Sequence, residues 1–171
     1  MSCRFSSANT YAISDSNGNI FYHSATYGST WNYSNGNNPT INALSFSSNA
    51  NLLGAGFGGN RQRIYIFNST SNTQFYKATI GFNVLTVDYS PDITLFATGD
   101  DGGNLRFYEA TLSSYFNFLT FGSLGTIASI DFSNDSCWIA AGSSNKSLYF
   151  YTANCMKKQT ANNPTFRCAI D

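Results

Sequence analysis

Residues Val84 to Glu109 read V-L-T-V-D-Y-S-P-D-I-T-L-F-A-T-G-D-D-G-G-N-L-R-F-Y-E. Three short apolar runs (Val84–Tyr89, Ile93–Thr98 and Leu105–Tyr108) are separated by two turn signals. In the first, Ser90-Pro91-Asp92, proline presets φ while Ser and Asp bond nearby backbone. The second, Gly99 to Asn104, is a Gly/Asp cluster that tolerates positive φ. Runs this short, punctuated this way, predict two consecutive hairpins and therefore a β-meander.

The stretch recurs. Phe46, Tyr89 and Phe132, each followed by serine, lie 43 residues apart, and Leu52, Leu95 and Trp138 keep that interval. So do Gly56, Gly99 and Gly142. A third strand follows in each copy: Ile64-Tyr65-Ile66-Phe67, Leu105-Arg106-Phe107-Tyr108 and Leu148-Tyr149-Phe150-Tyr151. A shorter copy opens the chain with Phe5-Ser6, Tyr11-Ala12-Ile13 and Ile20-Phe21-Tyr22-His23. A fixed period of roughly 40–45 residues with several strands per unit predicts an all-β fold of propeller blades, each a four-stranded antiparallel meander.

At these residues the chain resembles the WD-repeat β-propeller family. The resemblance rests on V-x-x-V-D-[FY]-S-P-D, L-x-A-x-G, a Gly/Asp turn and I-x-[IF]-[FY]. The copies depart from the family pattern. Phe67-Asn68, Tyr108-Glu109 and Tyr151-Thr152 stand where the family has Trp-Asp, and the first copy has His23-Ser24. The usual Gly-His pair is missing, so the family's His–Asp bracing is not carried over.

The units map as one partial propeller domain over 1–171, with blades near 3–40, 41–83, 84–126 and 127–165. N-N-P-T occurs at Asn37–Thr40 and Asn162–Thr165, each time before a new first strand, so 166–171 begins a further strand. About four to eight blades close a ring. Four units and a stub leave three arrangements open: part of a longer propeller, a half completed by another chain, or a small closed ring. The first two are preferred.

Charged residues make up 11% of the 171, and the formal net charge is zero, which argues against nucleic acid or an anionic membrane as partner. No run approaches the roughly 20 apolar residues of a membrane span, and the first residues lack the apolar core of a signal peptide. Cys3, Cys137, Cys155 and Cys168 form no C-x-x-C pair and read as free thiols. The expected location is the cell interior, most simply the cytoplasm.

Catalytic signals are weak. Asp100-Asp101-Gly102-Gly103-Asn104 lacks the ligand spacing of an EF-hand and reads as a hairpin turn. His23 is the sole histidine, which excludes a multi-His metal centre and favours a packing role. Arg4, Ser45, Asp88 and Asp131 occupy one repeat position on successive innermost strands. Bonding of such polar groups to neighbouring backbone is the preferred account. No nucleophile elbow, phosphate loop, zinc helix or dinucleotide fingerprint occurs. Neither enzymatic activity nor a cofactor or small-molecule substrate is expected.

Protein binding is the better expectation. The resemblance implies a partner-binding face formed by second-to-third-strand loops and blade connections: here Phe57, Arg61, Arg63, Phe82, Asn83, Asp100 and Asp101. Interface anchors and ordinary turn residues are both open readings of this set. A second candidate is the aromatic run Tyr115 to Phe121, including Phe118, the expected outer strand of the third blade. It is either an edge covered by a partner or a strand buried on both faces. The functional expectation is a non-catalytic interaction scaffold or adaptor, with other proteins, among them a chain completing the propeller, as partners. The alternatives are a structural piece of a large assembly and, behind it, a hydrolytic propeller enzyme.

Overall fold

The computed structural model describes residues 2–6, 9–25, 28–34, 39–59, 62–110, 117–121 and 124–152, with backbone alone for 29 and 117–121. The described residues form four antiparallel sheets, each a meander of consecutive strands. The first holds β1 (Cys3–Phe5), β2 (Thr10–Ser14), β3 (Asn19–Ser24) and β4 (Ser29–Ser34). The second holds β5 (Ile41–Phe46), β6 (Leu52–Phe57), β7 (Arg63–Asn68) and β8 (Thr73–Thr79). The third runs through β9 (Val84–Tyr89), β10 (Leu95–Asp100), β11 (Leu105–Glu109) and β12 (Asn117–Phe121). In the fourth, β13 (Ile127–Phe132), β14 (Trp138–Ser143) and β15 (Leu148–Thr152) are described. The stub at 166–171 lies outside the described residues.

A buckle repeated at the first turn of three sheets explains the aromatic–serine anchors. The Ser47, Ser90 and Ser133 backbone amides donate to the carbonyls of Leu52, Leu95 and Trp138 at 3.0 Å each. Each serine hydroxyl accepts from the amide of that same strand-opening residue, at 3.0, 3.0 and 2.9 Å. It also donates to Asn49, Asp92 or Asp135 two residues on. Turns this tight force a left-handed residue, found at Ala50, Ile93 and Ser136 with φ of 59°, 60° and 59°. One serine per turn thus closes the hairpin from both strands.

The blades pack face to face. Among the described residues the innermost strands follow one another, β1 on β5, β5 on β9 and β9 on β13, and each following innermost strand also packs on the second strand before it. A β-bulge recurs where β5, β9 and β13 begin, and the residues skipped there are Asn42, Leu85 and Ala128. The extra residue bends the strand and increases its twist.

Three apolar clusters fill the gaps between neighbouring blades. The first joins Ala12 and Ile20 to Leu53, Phe57, Tyr65 and Phe67. Ile64 and Ile66 meet Phe96 and Tyr108 in the second. In the third, Leu105 and Phe107 meet Ile139 and Ala141. The repeated glycine has its reason here. A Cβ on Gly56 would lie 2.6 Å from Val84, and one on Gly99 would lie 2.4 Å from Ile127. The first residues of the third and fourth blades sit directly on the glycine of the blade before.

Candidate functional site

Three loops share the end of the blades where the second strands finish. They are the β6–β7 loop, the β8–β9 link and the β10–β11 turn. Asn83 joins them: its Oδ1 accepts from the Gly59 amide at 2.7 Å. Its own amide donates to Asp101 Oδ1 at 2.9 Å, and its Nδ2 donates to Asp101 Oδ2 at 2.6 Å. The Asp101 amide returns a bond to the Asn83 carbonyl at 3.0 Å. The next blade is tied on by Leu124 N donating to Gly103 O at 3.1 Å and by Thr126 Oγ1 donating to Asp101 O at 3.3 Å. Phe82 lies over Gly102, where any side chain would collide with its ring, and stays exposed. The result is a braced polar surface on which Phe82 is exposed.

The expected binding residues separate into distinct roles. Asn83 and Asp101 hold the loops together, and Phe82 faces outward. Phe57 corrects the expectation of a presented anchor: it is fully buried, in contact with Tyr33 and Tyr65 between the first two blades. The alternating pleat at the end of β6 turns it inward. Asp100 is also buried; it accepts from Asn104 N at 2.9 Å and pairs with Arg106, so its oxygens serve the turn. Arg63 is half-buried beside Tyr65. Burial pushes the Tyr65 hydroxyl up, but hydrogen bonds from Arg63 and Tyr33, with the nearby Arg63 and Lys77 charges, bring it below its ordinary value. Arg61 and Tyr115 lie outside the described residues. Phe118 lies on β12, the outermost strand of its sheet, and its side chain lies outside them too.

The opposite end of the blades holds a cavity of about 380 Å³ where the innermost strands finish. Arg4, Ser45, Asp88 and Asp131 all line it. Their shared repeat position was readable in sequence, but the side-chain bond from Ser45 to Asp88, in place of bonds to backbone alone, was not. Arg4 Nε donates to the Leu44 carbonyl at 3.0 Å, tying blade one to blade two. Ser45 Oγ donates to Asp88 Oδ1 at 3.0 Å, and the Phe132 amide donates to Asp88 Oδ2 at 3.3 Å. Burial raises the Asp88 carboxyl above its ordinary value, aided by the Asp131 charge and opposed by the bonds from Ser45 and Phe132. Asp88 therefore links three blades while keeping a polar face toward the cavity. His23, in contrast, lies ring to ring with Tyr11, their centroids 5.1 Å apart.

Residues 117–152 match the family model of the WD domain, G-beta repeat. A chain in the crystal structure of the mitotic checkpoint complex superposes with a TM-score of 0.72 at 16% identity, over 84% of this chain and 45% of that one. The β-propeller domain of Cps50 (Swd1) from Myceliophteria thermophila superposes with a TM-score of 0.74 at 13% identity, over 90% of this chain and 51% of that one. The chain thus spans about half the length of these solved structures. No curated protein matches the sequence. The fold is that of a β-propeller, all strand and built blade by blade. Among the described residues no helix is long and apolar enough to cross a membrane.

Proposed function

We propose that this β-propeller, with a WD repeat at 117–152, works as a non-catalytic protein-interaction scaffold or adaptor inside the cell. One observation carries the reading: the Gly59–Asn83–Asp101 network holds three loops of two blades in one frame and leaves Phe82 exposed on it. A frame whose ordering cost is met during folding loses little entropy when a partner docks. An exposed aromatic over a glycine is the kind of anchor that is desolvated at interfaces. The titratable side chains described at the frame, Asp100, Asp101 and Arg63, are occupied with turn and strand bonds, which suits support better than proton transfer. The solved chains of similar fold include one from a checkpoint complex, and assembly with other proteins is the role carried over from it. The domain is read as one partial propeller over 1–171, and a chain that completes the ring belongs among its partners.

Affinity capture with the whole chain, beside a Phe82→Ala variant whose melting temperature is compared with that of the native chain, tests the reading. A protein recovered in stoichiometric amount by the native chain and lost with the variant supports it. Recovery of none, or equal recovery by both, overturns it.

A further inference from the structure

The two outermost faces of the blade stack carry side chains whose repeat equivalents are buried between blades. On the fourth blade Leu148 is 61% exposed and Phe150 45%, whereas Leu105 and Phe107, one repeat earlier, are both 0% exposed beneath the fourth blade. Trp138 is exposed on the same side, where its equivalent Leu95 is covered. The β14–β15 register sets Gly142 opposite Leu148 and Ala140 opposite Phe150, so this face is flat and nearly free of charge. Gly142 keeps the small residue that admits Val84 on Gly56 and Ile127 on Gly99, yet a Cβ there would meet only Ser129 of its own sheet. The face has the form of a blade-to-blade contact, and among the described residues no further blade lies on it.

The first blade shows the complementary half. Phe21 is 42% exposed, although its equivalent Tyr65 is 2% exposed against the preceding blade. Phe5, Tyr11 and His23 share this surface, Phe5 and His23 both in ring contact with Tyr11. Among the described residues no packing comparable to that between neighbouring blades joins the fourth blade to the first. One chain therefore displays both halves of the joint used three times in its interior.

We propose that a second copy of this chain docks head to tail on these faces. The fourth blade of each copy takes the first blade of the other, and the ring closes with two identical joints. Repeat equivalence says which surface fits which: Leu148 and Phe150 of one copy meet Phe21 of its partner, as Leu105 and Phe107 meet the fourth blade within the chain. The chain covers 45% and 51% of the two solved chains it matches, a span that leaves room for a second copy in one ring. Two four-sheet chains reach the upper end of the range of about four to eight blades in closed propellers. Unlike faces on one molecule form closed rings when the rotation per step completes a circle, which for two copies requires each chain with its joint to span half a turn. The proposal deepens the partner reading for ring completion only; the Phe82 surface stands apart from it.

Light scattering on the purified 171-residue chain measures the assembly directly. The expected particle has twice the 18.7 kDa chain mass and does not grow with concentration. Phe21→Glu and Leu148→Glu each spoil one face, and each is expected to weaken the dimer at least about tenfold. Mixing the two variants is the discriminating arm. One joint then has both native faces, so a mixed dimer forms where neither variant dimerises alone. Trp138→Lys and Tyr11→Glu repeat the pair, and circular dichroism and melting confirm that each variant is folded. A monomeric native chain overturns the proposal. Concentration-dependent polymers, or a dimer indifferent to all four substitutions, overturn it equally. A monomer that still captures a partner through Phe82 removes the ring and leaves the adaptor reading in place.

Discussion

Ser45 Oγ donates to Asp88 Oδ1 across 3.0 Å, joining residues that hold the same repeat position in neighbouring blades. The bond lies beside the cavity, and Asp88 also accepts from the Phe132 amide of the blade beyond. A carboxylate here performs bracing that the absent His–Asp pairs do not supply, at an electrostatic cost set by its burial.

That cost has a sign. The folded-state carboxyl of Asp88 titrates above the ordinary aspartate value, chiefly through burial, so the folded protein holds the proton more tightly than the unfolded chain. The contribution of Asp88 is most favourable below the unfolded value and is lost as pH rises through the folded one. Asp88→Asn removes this titration. Urea unfolding from pH 3.5 to 7 is expected to show the variant gaining on the native chain as pH rises; parallel curves would contradict the assignment.

The repeated glycine of the second, third and fourth blades predicts a graded response to one methyl group. Gly99→Ala sets a Cβ against Ile127, and overpacking of this kind costs about 1–3 kcal/mol. At Gly142 only the rotatable Ser129 hydroxyl stands in the way. Chemical denaturation of the Phe21→Glu chain, whose ring joint is spoiled, should find Gly142→Ala clearly milder than Gly99→Ala.

Ile93 is the one β-branched residue among the three matched first turns to take the left-handed conformation, at φ 60°. That backbone state costs an L-residue roughly 1–2 kcal/mol, and asparagine tolerates it better. Ile93→Asn is therefore expected to stabilise by about 1 kcal/mol, or roughly 2–4 °C in melting temperature. Calorimetry reads the shift directly, and a lower melting temperature would show that the half-buried Ile93 side chain matters more than its backbone.

Two phenylalanines near the loop face should part company. Phe57 is enclosed among Tyr33, Tyr65 and the first two blades, and Phe57→Ala is expected to cost about 3–5 kcal/mol. Exposed Phe82 rests on Gly102 alone among the glycine contacts, and Phe82→Ala should stay within about 0.5 kcal/mol. Denaturation of the two variants separates a core residue from an exposed one.

Several features could be read before any coordinates. The 43-residue recurrence of Phe46, Tyr89 and Phe132 and of Gly56, Gly99 and Gly142 marks sheets of one design, because each strand and turn is encoded within a few residues of itself. The hairpin at Asp100 to Asn104 was readable for the same reason. The inward turn of Phe57 was not: one residue of pleat at a strand end decides the side, and no local rule places the end of β6 to that accuracy.

The one-dimensional pattern of apolar runs and turn residues determined the repeat, the meander and the propeller fold, since those depend on interactions short along the chain. Only the tertiary structure decided what happens between repeats. It drew Arg4, Ser45, Asp88 and Asp131 to one cavity, made Asn83 the tie between two blades, and left Phe21 and Leu148 uncovered at the two ends of the stack. Spacing makes positions equivalent, whereas exposure and charge depend on which sheet lies alongside, and that is a fact of packing.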